Sequence, residues 1–131
     1  NVVSEPVTLR PRRRVVDRLR AHGHDCAIAA PVWHELVFGM ARLPASKRRN
    51  QLERYLQEVV RIAYPILAYG EAAAAWHASE RAHFERTGRV SSWVDGQIAA
   101  IAFTEDLAVV TANPRHFAVF RGLAVEDWTR P

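Results

Sequence analysis

The 131-residue sequence holds a single cysteine, Cys26. That excludes an intramolecular disulfide framework and any cluster of thiolate ligands, and it suits a reducing compartment. No uncharged run is longer than nine residues, far short of the ~20 apolar residues a membrane-spanning helix needs. There is no G-x-G-x-x-G after a strand and no G-x-x-x-x-G-K-[ST], so dinucleotide and P-loop sites lack support. There is no G-x-S-x-G elbow for an acyl-transfer serine. Lysine is also nearly absent: of 18 basic residues only Lys47 is not arginine.

What is present is globular. Hydrophobic residues make up 49% of the chain and charged ones 24%, which excludes disorder as the main state. No repeat, low-complexity tract or linker divides it, so one domain over 1–131 is expected. The net charge is +4, and arginine presents a planar fork of donors suited to phosphate. A basic domain of this size is a nucleic-acid candidate, with a soluble enzyme of high isoelectric point as the alternative. Arg12, Arg13 and Arg14 follow Pro11 where a helix should begin, and Lys47, Arg48 and Arg49 open another. Cations there oppose the helix dipole by about 0.3–1 kcal/mol each, which hints at a use beyond solubility.

Periodicity sets the elements. A helix is expected from Pro11 to about Ala21 with Gly23 as its C-cap, then a short buried strand over Asp25–Ala29. Pro31 suits a first helical turn, with Val32, Leu36, Met40 and Leu43 on one face up to Pro44. Leu52, Tyr55, Leu56, Val59 and Val60 form an inward stripe, followed by an apolar edge strand interrupted by Pro65. Gly70 opens an alanine-rich helix that Gly88 closes. Ser92 starts another with Val94, Ile98, Ile101 and Ala102 inward. Leu107–Thr111 reads as a strand covered on both faces, followed by a turn at Asn113-Pro114 and a last strand near Leu123–Val125. Strands alternating with helices argue for an α/β domain around a parallel sheet, with chemistry at the carboxyl ends of its strands.

Several residues have plainer readings. Cys26 sits in an apolar run and reads as a structural thiol. His22-Gly23-His24-Asp25 reads as a solvated turn. Trp33, Trp76, Trp93 and Trp128 read as packing residues, in preference to stacking platforms for bases.

Two carboxylates stand apart. Glu35 lies early in the helix after the second strand, and Asp95 in the first turn of the helix before Leu107–Thr111. Neither has a cation at i+3 or i+4: Glu35 meets Phe38 and Gly39 there, Asp95 meets Ile98 and Ala99. Unpaired carboxylates at a sheet edge suit a hard divalent cation, which keeps several waters and needs few protein ligands. Such an ion promotes hydrolysis of a phosphodiester. The structural alternatives are that Ser92-x-x-Asp95 is a capping box, that Asn113-Pro114 is an N-cap with proline at N1, and that Glu35 is an ordinary helix carboxylate.

Four segments in order carry a family pattern. Asn1-Val2-Val3-Ser4-Glu5 resembles the tail of L-D-T-N-V-[VIL]-S-E. Val32–Pro44 resembles a helix with an invariant glutamate, here Glu35, and a closing R-L-P. Asp95–Ala102 is close to D-[AG]-x-I-A-A-x-A, and Val109–Phe117 resembles L-V-T-x-N-x-x-D-F. Together they resemble the PIN-domain ribonucleases of the VapC toxin type, the toxin half of VapBC toxin–antitoxin pairs.

The resemblance implies a three-layer α/β/α domain with a central parallel sheet flanked by helices. It also implies a ribonuclease that uses Mg²⁺ or Mn²⁺. Glu35 and Asp95 fall on metal-site acids, and Thr111 and Asn113 on polar residues that orient the site. Arg12, Arg13, Arg14 and Arg115 are candidates for RNA contact. The implied partners are substrate RNA, a VapB-type antitoxin and a second copy of the chain, with no membrane and a cytoplasmic location.

The family's first metal-binding aspartate and first strand are expected just upstream of Asn1. His116 stands where the family has the aspartate of its D-F pair, and Asn113 is neutral where some members carry an acid. These departures keep a second function class open: a weakened PIN homologue that binds nucleic acid or antitoxin without turnover.

Overall fold

A computed structural model of the chain describes residues 1–131. They form two compact units, Asn1–Leu67 with Pro131, and Ala68–Arg130.

The first unit begins with a 3-10 turn over Glu5–Val7 and continues through α1 (Arg13–His22), β1 (Ile28–Ala29), α2 (Ala30–Ala41), α3 (Lys47–Tyr55), a π-helical turn over Leu56–Val60, α4 (Arg61–Ala63) and β2 (Ile66–Leu67). Strands β1 and β2 pair in parallel, Ile28 opposite Ile66 and Ala29 opposite Leu67. Proline has no donor to give, but the Pro65 carbonyl accepts from the Ile28 N–H at 2.8 Å and opens the ladder. The strand expected over Asp25–Ala29 is shortened because Gly23–Asp25 makes a 3-10 turn. Ile28, Leu36, Met40, Leu56 and Val60 form this unit's core. Val59, expected inward, is 47% exposed. The wide π turn changes the angular step per residue, so the stripe continues through Leu56 and Val60 and rotates Val59 out.

Cations at the two helix starts have specific partners. Glu5 is 4% exposed, and its carboxylate accepts from Arg12 N, Nε and Nη2 at 2.6, 3.1 and 2.9 Å. Arg48 donates to the Val7 carbonyl at 2.8 Å and Arg49 to the Leu43 carbonyl at 3.1 Å. Tyr55 donates to the Val3 carbonyl at 2.8 Å; burial pushes its phenol up to about 12. These bonds tie the N-terminal segment to α1 and α3.

The second unit contains α5 (Glu71–Arg86), α6 (Trp93–Thr104), β3 (Val109–Val110), α7 (Pro114–Phe117) and β4 (Val125–Glu126). Here β3 and β4 pair in parallel, Val109 opposite Val125 and Val110 opposite Glu126. The expected parallel strands are therefore present as two short pairs. Helix α5 ends in a Schellman motif, with Gly88 at φ 67°, Arg89 N–H on the Phe84 carbonyl and Gly88 N–H on that of Glu85. Helix α6 ends the same way on Asp106 at φ 56°, which ties Leu107 N–H to the Ala102 carbonyl. That tie delays the next strand until Val109. The core joins Phe84, Ala99, Ala102, Val109, Phe117 and Phe120, each large side chain contributing roughly 1.5–3 kcal/mol by burial. Glu80 on the inner face of α5 is neutralised by Arg121 at 3.0 Å.

The Arg12 side-chain hydrogen bond holds the Glu5 carboxyl below its ordinary value of 4.5, against the opposing effect of burial. A carboxyl lowered in the folded state stabilises above its unfolded value, and that contribution is lost as pH falls through the lowered one. We expect Glu5→Gln to cost about 1–3 kcal/mol at pH 7, moderated because Arg12 is half exposed. The gap to the parent should close as urea midpoints are taken below pH 4.5.

Candidate active site

In the first unit, Glu35 is carried by α2, which starts directly at the end of β1. Pro31 in its first turn pre-sets the helix, while Leu36 and Met40 anchor its inner face. Glu35 itself is exposed. Of the arginines, Arg12 is committed to Glu5. Arg13 leans on Asp17 at 3.8 Å, a weak exposed pair. Arg13 and Arg14 line a shallow depression of about 470 Å³ on α1 together with Asp17, Arg18 and Ala21.

In the second unit, Asp95 occupies the first turn of α6. Ser92 is the N-cap, its Oγ accepting from Asp95 N–H at 3.2 Å. Only that half of the expected capping box forms. The Asp95 carboxylate turns instead to His116 Nδ1 at 3.4 Å, with 22% of the aspartate side chain exposed. His116 lies on α7, which the Asn113-Pro114 pair starts as expected, although the Asn113 side chain makes no cap bond. Thr111 is fixed at the end of β3 by its N–H on the Glu126 carbonyl at 3.0 Å, and its Oγ1 accepts from Asn113 N–H at 3.0 Å. The structure thus joins Asp95 of α6 to His116 of α7, and Thr111 to Asn113 on the turn between β3 and α7. Arg115 is exposed on the same short helix.

Sequence reasoning missed the group behind Asp95. His77 on α5 is 1% exposed, with Nδ1 3.0 Å from the Tyr69 hydroxyl and Nε2 buried without a partner. A Cβ added to Gly96 would run into the His77 ring. With its proton on Nδ1, facing Tyr69, the imidazole turns only a lone pair toward the Gly96 Cα–H groups. That arrangement costs less than a buried N–H with no acceptor. Burial first, and Arg81 second, lower the His77 pKa below 6.5 and keep the ring neutral. The signal was in the sequence: a histidine on the inner stripe Ala73, His77, Glu80, Phe84 of an alanine-rich helix.

The residues fit a hard divalent ion in kind but not as a ready-made cage. Carboxylate oxygens suit Mg²⁺ or Mn²⁺, and an ion that keeps most of its water needs only one or two of them. No group of three or more His, Cys, Asp or Glu side chains is placed to hold a metal. His116, beside Asp95, is a poor donor for such an ion.

A carboxylate at a helix start, paired with a histidine from the short helix that follows a parallel strand, defines an α/β protein with an acid-centred site. The family model for the PIN domain matches residues 1–123, and the chain belongs to that family. It is 33% identical over 120 residues to "Toxin FitB" of Neisseria gonorrhoeae, covering 89% of this chain and 86% of that one. It is 29% identical over 116 residues to "tRNA(fMet)-specific endonuclease VapC" of Shigella flexneri, covering 88% and 84%. Its fold matches the crystal structure of FitAcB from Neisseria gonorrhoeae with a TM-score of 0.91 at 30% identity, over 100% of this chain and 96% of that one. The resemblance drawn from the four motifs is borne out. No helix is long and apolar enough to cross a membrane.

Gly→Ala inside a helix normally gains up to about 1 kcal/mol. At Gly96 the clash should reverse the sign, and we expect Gly96→Ala to lose about 1–3 kcal/mol by overpacking. Adding His77→Ala should make the Gly96 change favourable again, a coupling that a double-mutant cycle reads directly. A histidine whose folded pKa is lowered costs stability as pH falls below its unfolded value. The parent should therefore lose stability on acidification from pH 6.5, and that component should be absent in His77→Gln.

Proposed function

We propose that the chain is a metal-dependent endoribonuclease toxin of a toxin–antitoxin module. It acts on RNA in the cytoplasm as a homodimer and is inhibited by a cognate VapB-type antitoxin. The observation that carries this reading is Asp95, a partly exposed carboxylate held at the start of α6 by Ser92 and paired with His116 on the short helix that follows β3. The toxin and endonuclease names of its relatives support it. When bound, Mg²⁺ or Mn²⁺ acidifies water and offsets the negative charge that builds on a phosphodiester under attack. Asp95 is the carboxylate of the second unit that would bind it, and Glu35 is the acid that the four-motif resemblance adds from the first unit.

The other polar groups have supporting roles. Thr111 fixes the backbone at Asn113 and leaves the Asn113 amide free to orient a water or a phosphate oxygen. Arg115, exposed on α7, is available to the RNA backbone, as are Arg13 and Arg14 on α1; Arg12 first serves Glu5.

His116 on Asp95 and the thin donor set favour a second reading, binding of nucleic acid or antitoxin without turnover. One experiment separates the two. Under the nuclease reading, Asp95→Ala and Glu35→Ala each reduce cleavage of RNA by roughly a hundredfold or more with the fold intact by circular dichroism. Cleavage that survives both changes would refute these assignments, and a folded parent that never cleaves would favour the binding module. We also expect His116→Asp to raise Mn²⁺ affinity severalfold in a titration followed by electron paramagnetic resonance, because it puts a second carboxylate beside Asp95.

A further inference from the structure

Trp93 departs from the packing role expected of the four tryptophans. Trp128 is buried and Trp76 stacks on Phe103 at 4.7 Å, whereas Trp93, the first residue of α6, is 54% exposed. Its ring is nevertheless held. His77 meets it at a steep angle with centroids 5.3 Å apart, and the Arg81 guanidinium lies 4.2 Å from the ring centroid. His77 is itself buried and bonded to Tyr69. The indole is therefore an exposed aromatic surface with little freedom left to lose on binding.

We propose that Trp93 and Arg81 form a stacking platform for an unpaired base of the RNA that the Asp95 site acts on. This rests on the nuclease reading above. An indole face accepts any base, and a guanidinium lying on the ring keeps its in-plane N–H groups for a phosphate. Arg81 makes no ion pair within the chain, so a phosphate would supply the missing counter-charge. A protein partner covering the indole with apolar side chains would strip water from Arg81 without replacing it, which is costly. Trp93 and Asp95 are two residues apart and project from different sides of the helix end. The stacked base therefore belongs to a nucleotide flanking the scissile one, and the platform grips the strand without reading its sequence.

The test measures binding apart from cleavage. Fluorescein-labelled single-stranded RNA is titrated with the Asp95→Asn chain in EDTA and followed by anisotropy. Adding Trp93→Ala is expected to weaken binding roughly tenfold, the worth of one stacked base. Trp93→Phe should retain most of the affinity, which separates loss of the aromatic face from loss of the contact that the ring makes with His77, and circular dichroism checks that each variant keeps its fold. Arg81→Gln should flatten the slope of log Kd against log salt by about 0.7, the loss of one phosphate contact on a single strand. RNA affinity unchanged by Trp93→Ala, with Asp95-dependent cleavage intact in the parent, overturns the platform alone and assigns the indole to a protein surface. An Asp95→Asn chain that binds no RNA overturns the platform, whereas the nuclease reading falls only when the folded parent, given Mn²⁺, leaves RNA intact.

Discussion

The close approach of α5 and α6 over Gly96 governs the surroundings of Asp95. A glycine one residue after the aspartate leaves room for a buried imidazole from the facing helix, and that imidazole meets Trp93 on one side and Tyr69 on another. The first turn of α6 is thereby fixed from inside the second unit, while Ser92 fixes it from its own end. Tight packing transmits such a constraint because the interior has no slack to absorb a displaced ring. Small residues continue the contact along the helix, with Ala99 and Ala100 fully buried.

Charge in this chain divides between structure and surface. The arginine excess looks at first like a nucleic-acid signature, yet several of these side chains satisfy specific partners: Arg12 on buried Glu5, Arg121 on buried Glu80, Arg48 and Arg49 on backbone carbonyls. Buried carboxylates are tolerable only when paired in this way. Arg13, Arg14, Arg81 and Arg115 are the cations that sequence position or geometry leaves available to an anionic partner. Arg12, Arg48 and Arg49, three of the cations at the two helix starts, are thus explained by the carboxylate and carbonyls they hold.

Much of the architecture was legible because periodicity and capping residues act locally. Gly70, Gly88, Ser92 and Asn113-Pro114 mark helix ends where the structure has them. Strand lengths were not legible: Leu107 is captured by the C-terminal turn of α6 and Asp25 by a 3-10 turn, and hydrogen bonds of that kind leave no hydrophobic pattern. The π turn that exposes Val59 is equally silent in sequence. At the candidate site, Asp95, Thr111 and Asn113 could be picked out by type and position. His116 could be recognised as an odd substitution, but not as the partner of Asp95. His77 was readable as one of the inward positions Ala73, His77, Glu80 and Phe84 of α5, but its contact with Gly96 and the exposure of Trp93 emerged only from packing.

The central claim is that this member of the PIN-domain family cleaves RNA with a divalent ion. The most direct test is RNA cleavage by the antitoxin-free chain across a range of Mn²⁺ and Mg²⁺ concentrations, with a chelator control and several RNA classes as substrates. Cleavage that appears with the ion, stops in chelator and returns when the ion is restored is the predicted result. Cleavage that persists in chelator, or intact RNA of every class in the presence of folded protein and saturating Mn²⁺, would contradict it.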